Sequence, residues 1–317
     1  MHIEVSQVGT TPLVPAQPNE PLRLMHVHAH PDDESSKGAA STAMYVESGV
    51  DVIVVTCTGG ERGDILNPAM DIDEVREDLA GVRRREMAAA AAALGVRHEW
   101  LGHVDSGFPE PDENGVRPLP EGCFAAADIS AIAPGLARII RRERPHVVTT
   151  YDENGGYPHP DHIRCHEITI AALELAASAD FDADDSDATP WQVHKVYYHQ
   201  SFHYERVKAM HDAMIAAGLP SRFEEWLANW DHSGDRAITT RVQCEVSHFE
   251  ARDAALRAHA TQIDPTVWLA IPASTQHAVW STEDYELAQT WVAVDLPETD
   301  LFAGIRPFVD TRTLASN

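Results

Sequence analysis

Two short segments of the sequence combine histidine with neighbouring acids. Residues 28–34 have the sequence HAHPDDE, and residues 157–162 have the sequence YPHPDH. Histidine nitrogen and carboxylate oxygen are ligands that Zn²⁺ accepts, and a catalytic zinc site uses three such ligands and leaves a position open for water. Because each segment contains His-Pro-Asp, the two together predict a metal site that activates water.

In the first segment we expect His30 and Asp33 to be metal ligands. Successive residues of a helical turn point about 100° apart, so Asp32 and Asp33 cannot be equivalent ligands. We therefore place Asp32 beside the attacking water as the general base. Proline and acidic residues are also favoured in a first helical turn for structural reasons, but this explains only Pro31 and one acid.

The second segment supplies the third ligand, which we expect to be His162. His159 then lies at the mouth of the site, where it stabilises an oxyanion or protonates a leaving amine. The alternative pairs His162 with Cys165 or His166, which lie three and four residues further along the same predicted helix.

Both segments follow apolar runs, as expected where a strand passes into a helix. Strands are predicted at residues 22–28, 51–56, 98–101 and 146–150. Helices are predicted at about residues 34–47, 73–94, 126–143 and 160–177. This alternation predicts an α/β fold of the Rossmann-like, doubly wound type, with a mostly parallel sheet and helices on both faces. Ligands of such folds bind beyond the carboxyl ends of the strands.

The last third of the chain is expected to complete the core and to wall the site. Its predicted elements are strands at residues 193–199 and 237–242 and helices at residues 204–217, 221–230 and 246–261. Four tryptophans are candidates to line the substrate opening, although core packing is the more ordinary role of this residue. They are Trp226, Trp230, Trp268 and Trp280.

The domain organisation follows from the same pattern. Residues 1–21, rich in proline, are expected to form a flexible N-terminal extension. Residues 22–317 are expected to form one domain, with a metal-site core at residues 22–178 and a substrate wall at residues 179–317. The acidic run at residues 180–187 is expected to be a solvated turn.

Composition limits the partners of the protein. Its 24 Lys and Arg against 50 Asp and Glu give a formal charge of −26, which argues against nucleic acid or an anionic membrane as partner and leaves a small-molecule substrate. A secretory signal, a run of membrane-spanning length and paired cysteine motifs are all missing from the sequence, so we expect a cytoplasmic protein. The oligomeric state stays open.

The sequence resembles the LmbE-like, or PIG-L-like, family of zinc deacetylases, whose paired signatures look like residues 30–34 and 159–162. The resemblance extends from about residue 23 to residue 306, through VVTCTGGERGDILNP, TTYDENGGYPHPDHI, AHATQIDP and DLFAGIR. It implies one Zn²⁺ per chain, bound by the three ligands proposed above, with Asp32 as general base. Ferrous iron accepts the same kinds of ligand and is the alternative metal.

The resemblance also implies roles for residues around the metal. Tyr157 would lie over the reacting carbonyl, and His159 would have an electrostatic or acid role. Arg83 and Asp105 match positions that contact the hydroxyls of a sugar and an inositol. Glu61 would join them, or would fix its own loop through a salt bridge.

Lys37 distinguishes two activities within the family. Members that hydrolyse the amide bond of mycothiol S-conjugates resemble this chain in having lysine there, one turn after Asp33 on the side of the pocket. Members that deacetylate N-acetylglucosaminyl-inositol have a small hydroxyl residue. The resemblance therefore implies hydrolysis of mycothiol S-conjugates to an N-acetylcysteine S-conjugate and glucosaminyl-inositol. Deacetylation is the alternative, and a metal-binding protein without turnover is the alternative from another class.

Overall fold

The computed structural model describes residues 11–17, 20–115, 117–183 and 189–306. The strands are β1 (Arg23–His28), β2 (Asp51–Thr58), β3 (Arg97–His103), β4 (Val147–Thr150), β5 (Lys195–His199), β6 (Thr240–Gln243) and β7 (Thr282–Thr290). They form a seven-stranded sheet in the order β3-β2-β1-β4-β5-β7-β6. Strands β1 to β5 are parallel, whereas β7 pairs antiparallel with both β5 and β6. The predicted α/β fold with a mostly parallel sheet is confirmed.

Helices cover both faces of this sheet. The first six are α1 (Asp33–Ser36), α2 (Ala39–Glu47), α3 (Asp73–Glu77), α4 (Leu79–Leu94), α5 (Ile129–Glu143) and α6 (Pro160–Ala177). They are followed by α7 (Tyr204–Ala216), α8 (Glu224–Ala228), α9 (Val246–Ala258), α10 (Pro265–Trp268) and α11 (Ala273–Val279). Within the described ranges, none of these helices has the length and apolar character needed to cross a bilayer.

Alternating residues of β1 reach two separate cores. Met25 and Val27 pack with α5 and α6 on one face, whereas Leu24 packs on the other face with Tyr45 of α2 and Phe302 near the end of the described chain. Because of this two-sided packing, β1, β4 and β5 are buried at nearly every position, including their histidine and threonine residues. The C-terminal part of the chain thus completes both the sheet and the core, as predicted.

Two helices predicted as continuous are each divided in two. The first breaks at Gly38, whose φ of 73° is unfavourable for residues with a side chain. A Cβ atom there would lie 2.5 Å from the Tyr285 hydroxyl oxygen, so the close approach also requires glycine. The second breaks at Asp78, whose carboxylate accepts a hydrogen bond from the Gly81 amide, 3.2 Å away, and caps α4.

Strand β7 lies in the last third and was not predicted. Its sequence, TEDYELAQT, carries buried acids at Glu283 and Asp284, which hide the apolar pattern of a strand. Arg206 binds the first acid at 2.8 Å and His203 binds the second at 2.8 Å. Two predicted segments lie partly outside the described residues. The N-terminal extension lacks residues 1–10, 18 and 19, and the end of the acidic run falls within residues 184–188. The predictions for both segments stand as predictions.

A buried ion pair joins β5 to the C-terminal segment. Lys195 Nζ lies 2.5 Å from Glu298 Oε1, and the two side chains are 0% and 1% exposed. Replacing Lys195 with methionine leaves the Glu298 carboxyl buried without its cation, so we expect a loss of about 3 kcal/mol in the free energy of unfolding, measured by urea denaturation. Lys208→Met, which breaks the exposed pair of Lys208 with Asp212, is the control and should change stability little. Equal losses in the two variants would contradict the prediction.

Candidate metal centre and active site

The fold brings the two histidine-containing segments to the same edge of the sheet. Strands β1 and β4 are parallel neighbours, and the segments follow their carboxyl ends. His30 Nδ1 lies 3.6 Å from Asp33 Oδ2, and His162 Nε2 lies 3.5 Å from the same oxygen. Ligand atoms of the three residues lie within 4.8 Å of one another. The structure therefore brings together the three residues predicted to bind a metal.

Hydrogen bonds fix the tautomers of both imidazoles. His162 Nδ1 lies 3.0 Å from the Gly155 carbonyl oxygen, which can only accept, so Nδ1 carries the proton and Nε2 a lone pair. That Nε2 is buried and has no hydrogen-bond partner. His30 Nε2 faces Asp161 Oδ2 at 3.2 Å, which leaves the lone pair of Nδ1 towards Asp33. The lone pairs of His30 Nδ1 and His162 Nε2 therefore both face Asp33 Oδ2, although none of these three atoms can donate a hydrogen bond to another. A cation between them would satisfy all three, and buried polar atoms rarely stay unpaired.

Acids surround His30 on its outer side as well. Asp105 Oδ1 lies 3.6 Å from Nε2, and Asp161 Oδ2 lies nearer still. Burial alone would lower the pKa of His30, but hydrogen bonding to Asp105 and Asp161 raises it well above its ordinary value. The site therefore attracts positive charge, and a metal ion competes there with a proton.

Asp33 is held in its charged form. Lys37 Nζ lies 2.6 Å from Oδ1, and the Tyr151 hydroxyl donates to Oδ2 at 2.6 Å. Burial favours the neutral acid, but Lys37 and His162 lower the pKa of Asp33 well below its ordinary value. Lys37 lines the cavity described below, yet its ammonium is engaged with this ligand.

The alternative ligands, Cys165 and His166, make contacts away from the metal ligands. Cys165 Sγ packs 3.7 Å from Cys57 Sγ in the core, and His166 Nδ1 lies 3.0 Å from the Tyr151 carbonyl oxygen. Among the described residues, neither belongs to a cluster able to hold a metal. The structure thus favours His162 with His30 and Asp33 over the pairing within α6.

A further cluster of histidines lies behind the site but is internally bonded. It consists of His26, His28 and His199, all buried. His26 Nδ1 lies 2.6 Å from the Thr149 hydroxyl, and His26 Nε2 lies 3.0 Å from the Thr42 hydroxyl. Because both ring nitrogens of His26 are occupied, this cluster does not offer three free ligand atoms.

Asp32 occupies a backbone conformation that residues with side chains rarely adopt. Its φ is 118°, and its amide donates to Glu34 Oε2 at 3.0 Å. Strain of this kind is stored where the surroundings enforce it, often at functional sites. The turn directs Asp32 into the cavity while Asp33 faces the two histidines, so the adjacent acids occupy different positions. Burial and the neighbouring Asp33 raise the pKa of Asp32 to about 6.

His159 and Tyr157 line the same cavity. His159 Nδ1 accepts a hydrogen bond from the Asp161 amide at 3.1 Å, so its proton is on Nε2. Burial and the neighbouring His30 lower the pKa of His159 to about 2, which keeps the ring neutral. Tyr157 is 45% exposed, and its ring centroid lies 4.6 Å from that of His162. Both residues offer a donor near the metal ligands.

Of the three residues that match sugar-contacting positions of the family, two line the cavity and one does not. Arg83 and Asp105 line the cavity, whereas Glu61 does not. Arg83 is buried and donates to the carbonyls of Gly60, Gly63 and Asp64, so it also holds the loop at residues 60–64. Glu61 Oε2 accepts a hydrogen bond from the Asp105 amide at 3.2 Å. Glu61 thus contacts the backbone beside Asp105, and both predictions for this residue stay predictions.

The cavity has a volume of about 540 Å³, within the range of small-molecule sites. Part of its lining is polar and is called the polar side here: Arg62, Asp64, Arg83, Asp105 and Gln262. Another part is aromatic and is called the aromatic side: Phe202, Phe223, Trp226 and Trp268, with Trp226 in contact with both phenylalanines. Trp230 and Trp280 do not line it and pack against the cluster around Phe223.

Three residues around the site were not given a role from the sequence. Tyr151 binds Asp33, and Asp161 binds His30. His259 Nε2 lies 2.7 Å from Glu34 Oε1, and both side chains are buried. Burial alone would raise the pKa of Glu34, but the interaction with His259 lowers it to about 2. Glu34 in turn holds the Asp32 amide, so the pair supports the strained turn. All three lie in stretches that the sequence analysis singled out, but their contacts could not be predicted from those patterns.

Asp161 should increase the affinity of the site for metal, because it orients His30. Carboxylates that orient a metal-bound histidine typically account for a factor of about 10 to 100 in affinity, so we expect Asp161→Asn to weaken metal binding by this amount. Competition with a chromophoric chelator measures the change. Asp152→Asn is the matched control, because Asp152 is a buried acid in the same loop region that caps backbone amides and not His30. Unchanged affinity in Asp161→Asn would contradict this role.

Comparison with known proteins places this site in a family. The family model of PIG-L, the GlcNAc-PI de-N-acetylases, matches residues 25–173, which include every residue of the candidate metal centre. The chain is 55% identical over 289 residues to the mycothiol S-conjugate amidase of Streptomyces coelicolor, covering 90% of this chain and 98% of that protein. This chain belongs to the PIG-L family. Membership confirms the predicted resemblance and the prediction of an enzyme of the amidase and deacetylase class.

Other relatives of the PIG-L family agree. The chain is 38% identical over 297 residues to the 1D-myo-inositol 2-acetamido-2-deoxy-alpha-D-glucopyranoside deacetylase of Streptomyces avermitilis, covering 90% of this chain and 98% of that protein. Among solved structures, N,N'-diacetylchitobiose deacetylase from Pyrococcus horikoshii superposes with a TM-score of 0.56 at 19% identity, covering 91% of this chain and 88% of that one. The conserved protein TT1542 from Thermus thermophilus has a TM-score of 0.54 at 19% identity, covering 86% and 97%. At this identity the structural likeness concerns the fold.

Proposed function

We propose that this protein hydrolyses the amide bond of mycothiol S-conjugates and releases an N-acetylcysteine S-conjugate and glucosaminyl-inositol. The observation that carries the proposal is the 55% identity to a mycothiol S-conjugate amidase over nearly the whole of both chains, compared with 38% to the deacetylase. The two-sided cavity supports it. Its polar side suits a sugar and an inositol rich in hydroxyls, and its aromatic side suits a varied substituent on sulfur.

His30, Asp33 and His162 would hold one Zn²⁺ per chain. Two imidazole nitrogens and one carboxylate suit Zn²⁺, and the same set accepts ferrous iron, which is the alternative. When bound, the ion would polarise the amide carbonyl and lower the pKa of the attacking water towards about 7. Lys37 and Tyr151 hold Asp33 in place, and Asp161 holds His30.

The protein side chains would carry the protons. Asp32, held in the cavity by its strained turn, accepts a proton from the attacking water. His159 donates from Nε2 to the oxygen that gains negative charge, together with the Tyr157 hydroxyl. His159 Nδ1 accepts a hydrogen bond from a backbone amide and the ring is neutral, so we assign to His159 a hydrogen bond to the oxyanion. We assign the return of the proton to the leaving amine to Asp32. Arg83 and Asp105 bind the sugar and inositol hydroxyls.

A cytoplasmic location fits this role. All four cysteines are free and buried, as is ordinary where thiols stay reduced. The partner is a small molecule, since a net charge of −26 gives nucleic acid and anionic membranes no favourable surface.

A comparison of two substrates tests the proposal. We expect the zinc-loaded protein to hydrolyse the bimane conjugate of mycothiol with a kcat/KM at least roughly tenfold above that for N-acetylglucosaminyl-inositol. The reverse order would establish the deacetylase instead. Tight zinc binding without hydrolysis of either compound would support the alternative of a metal-binding protein. Metal content measured on the protein as isolated, before zinc is added, decides between zinc and iron.

A further inference from the structure

Arg222 stands out in the aromatic side of the cavity. Its guanidinium carbon lies 4.4 Å from the centre of the Trp268 ring and 4.7 Å from the centre of the Phe223 ring. Contacts of this kind hold a cation without neutralising it. Among the described residues no carboxylate pairs with Arg222, although the chain has 50 acids and only 24 basic residues. An unpaired arginine at a cavity wall of such a protein is free to bind a ligand.

The surroundings of Arg222 are basic. The metal-site cavity joins a smaller one of about 80 Å³, and Arg222 lines both. Arg206 and Arg252 line the smaller cavity, but each is already paired with a buried carboxylate. Arg206 binds Glu283 at 2.8 Å, and Arg252 binds Asp253 at 2.6 Å. Arg222 is thus the member of this group that a ligand would neutralise. Burial and repulsion from Arg252 lower its pKa to about 10, so it is still cationic at neutral pH.

The position of Arg222 identifies the part of the substrate that it meets. Arg83 and Asp105, which match the sugar and inositol contacts, bond to the loop at residues 60–64 on the polar side, whereas Arg222 contacts Phe223 and Trp268 of the aromatic side. The cation therefore lies with Phe202, Trp226 and Trp268, on the side left for the sulfur substituent. Guanidinium groups bind carboxylates through paired, charge-assisted hydrogen bonds.

We propose that Arg222 binds an anionic group on the sulfur substituent, so that the enzyme prefers conjugates whose substituent carries a carboxylate. The inference rests on the proposed function, because the sulfur substituent exists only in that class of substrate. It makes Arg222 a specificity-determining residue of the aromatic side. The chemical class that it selects is an aromatic acid, whose ring packs on Trp226 or Phe202 while its carboxylate meets the guanidinium.

Two conjugates of equal size test the inference. Mycothiol alkylated with 4-(bromomethyl)benzoic acid carries a carboxylate, and mycothiol alkylated with 4-(bromomethyl)benzamide carries a neutral amide. We expect the wild-type kcat/KM to be about tenfold higher for the acid, the size of a partly solvated charge-assisted bond. The ratio should fall to about one in Arg222→Gln and should shrink as NaCl is raised. Arg222→Lys keeps the charge and should retain a preference for the acid.

Arg241→Gln is the matched control. Arg241 also stacks on a tryptophan, Trp280, but it is paired with Glu205 and lies outside both cavities. Its replacement should leave the acid-to-amide ratio at the wild-type value. A wild-type ratio of one or below, or a preference for the acid that persists in a folded Arg222→Gln variant, would overturn the inference.

Calorimetric titration separates this inference from the proposed function. Dissociation constants of the two conjugates, measured with zinc-loaded protein that carries Asp32→Asn to suppress turnover, with and without Arg222→Gln, give the same ratio from binding alone. If wild type hydrolyses neither conjugate but binds the acid about tenfold more tightly through Arg222, the proposed reaction fails and the anion site stands. If both are hydrolysed and bound equally well, the reaction stands and the anion site fails.

Discussion

Replacing Asp32 with asparagine is expected to lower kcat for the mycothiol conjugate by about 10²- to 10⁴-fold, the contribution of a well-placed general base. Asparagine keeps the size of the side chain and the hydrogen bond from the Asp32 amide to Glu34, so the strained turn should persist. It cannot accept a proton from water. Since Asp33 and not Asp32 faces the two histidines, zinc content should stay at one per chain.

The measurement pairs steady-state kinetics with metal analysis on the same sample. Asp73→Asn is the control, because the exposed Asp73 side chain lies on α3 and pairs with Arg76 of the same helix. It should leave kcat unchanged. Turnover near the wild-type value in a zinc-loaded Asp32→Asn protein would remove Asp32 from the role of base, and loss of zinc in that variant would make it a ligand.

The dependence of activity on pH is a second test of the role of Asp32. Burial and Asp33 raise the pKa of Asp32 to about 6, so the base is lost as pH falls through that range. A cation in the site favours the carboxylate, which moves this acid limb to lower pH. Activity should therefore fall on acidification, with a midpoint at or below about pH 6, and the limb should be missing from the residual activity of Asp32→Asn.

The sequence predicted the elements that position the site because their pattern is local. A continuous apolar run, as at residues 52–55 of β2, indicates burial on both faces of a parallel sheet. The acids and histidines follow such strands directly, and parallel neighbours bring their carboxyl ends together. For this reason residues 131 positions apart, such as His30 and Asp161, could be expected near each other, although the hydrogen bond between them could not.

The features that were not predicted depend on contacts between distant residues. Strand β7 carries Glu283 and Asp284 inside the protein, and only Arg206 and His203 from another helix region make this burial favourable. The engagement of Lys37 is different, because its contact with Asp33 Oδ1 joins residues four positions apart. Helical spacing allows such a pair, and the sequence interpretation placed the ammonium towards substrate instead. The free guanidinium of Arg222 can be seen only once every nearby acid has found its partner.

Replacing His162 with alanine is expected to abolish stoichiometric zinc binding and turnover together. The variant removes the one ligand whose Nε2 is buried without a partner, and two protein ligands do not make a closed site for Zn²⁺. In wild type, zinc at about 100 times its dissociation constant should stabilise the folded state by about 2.7 kcal/mol, since it binds only the native arrangement. For a protein of this size the gain corresponds to a rise in Tm of about 5 °C. In His162→Ala this rise should vanish.

His166→Ala is the matched control for that experiment. His166 lies one turn further along α6 and contacts the Tyr151 carbonyl, and it was the alternative partner of His162 in the sequence. Its loss should leave zinc content, the zinc-dependent rise in Tm and turnover at their wild-type values. If His166→Ala instead loses zinc while His30→Ala keeps it, the metal is held along α6, and the site built from β1 and β4 is wrong. If both alanine variants of His162 and His30 lose zinc, the ion bridges the two strand ends. It then relieves the repulsion among Asp33, Asp105 and Asp161, which the fold has gathered around His30.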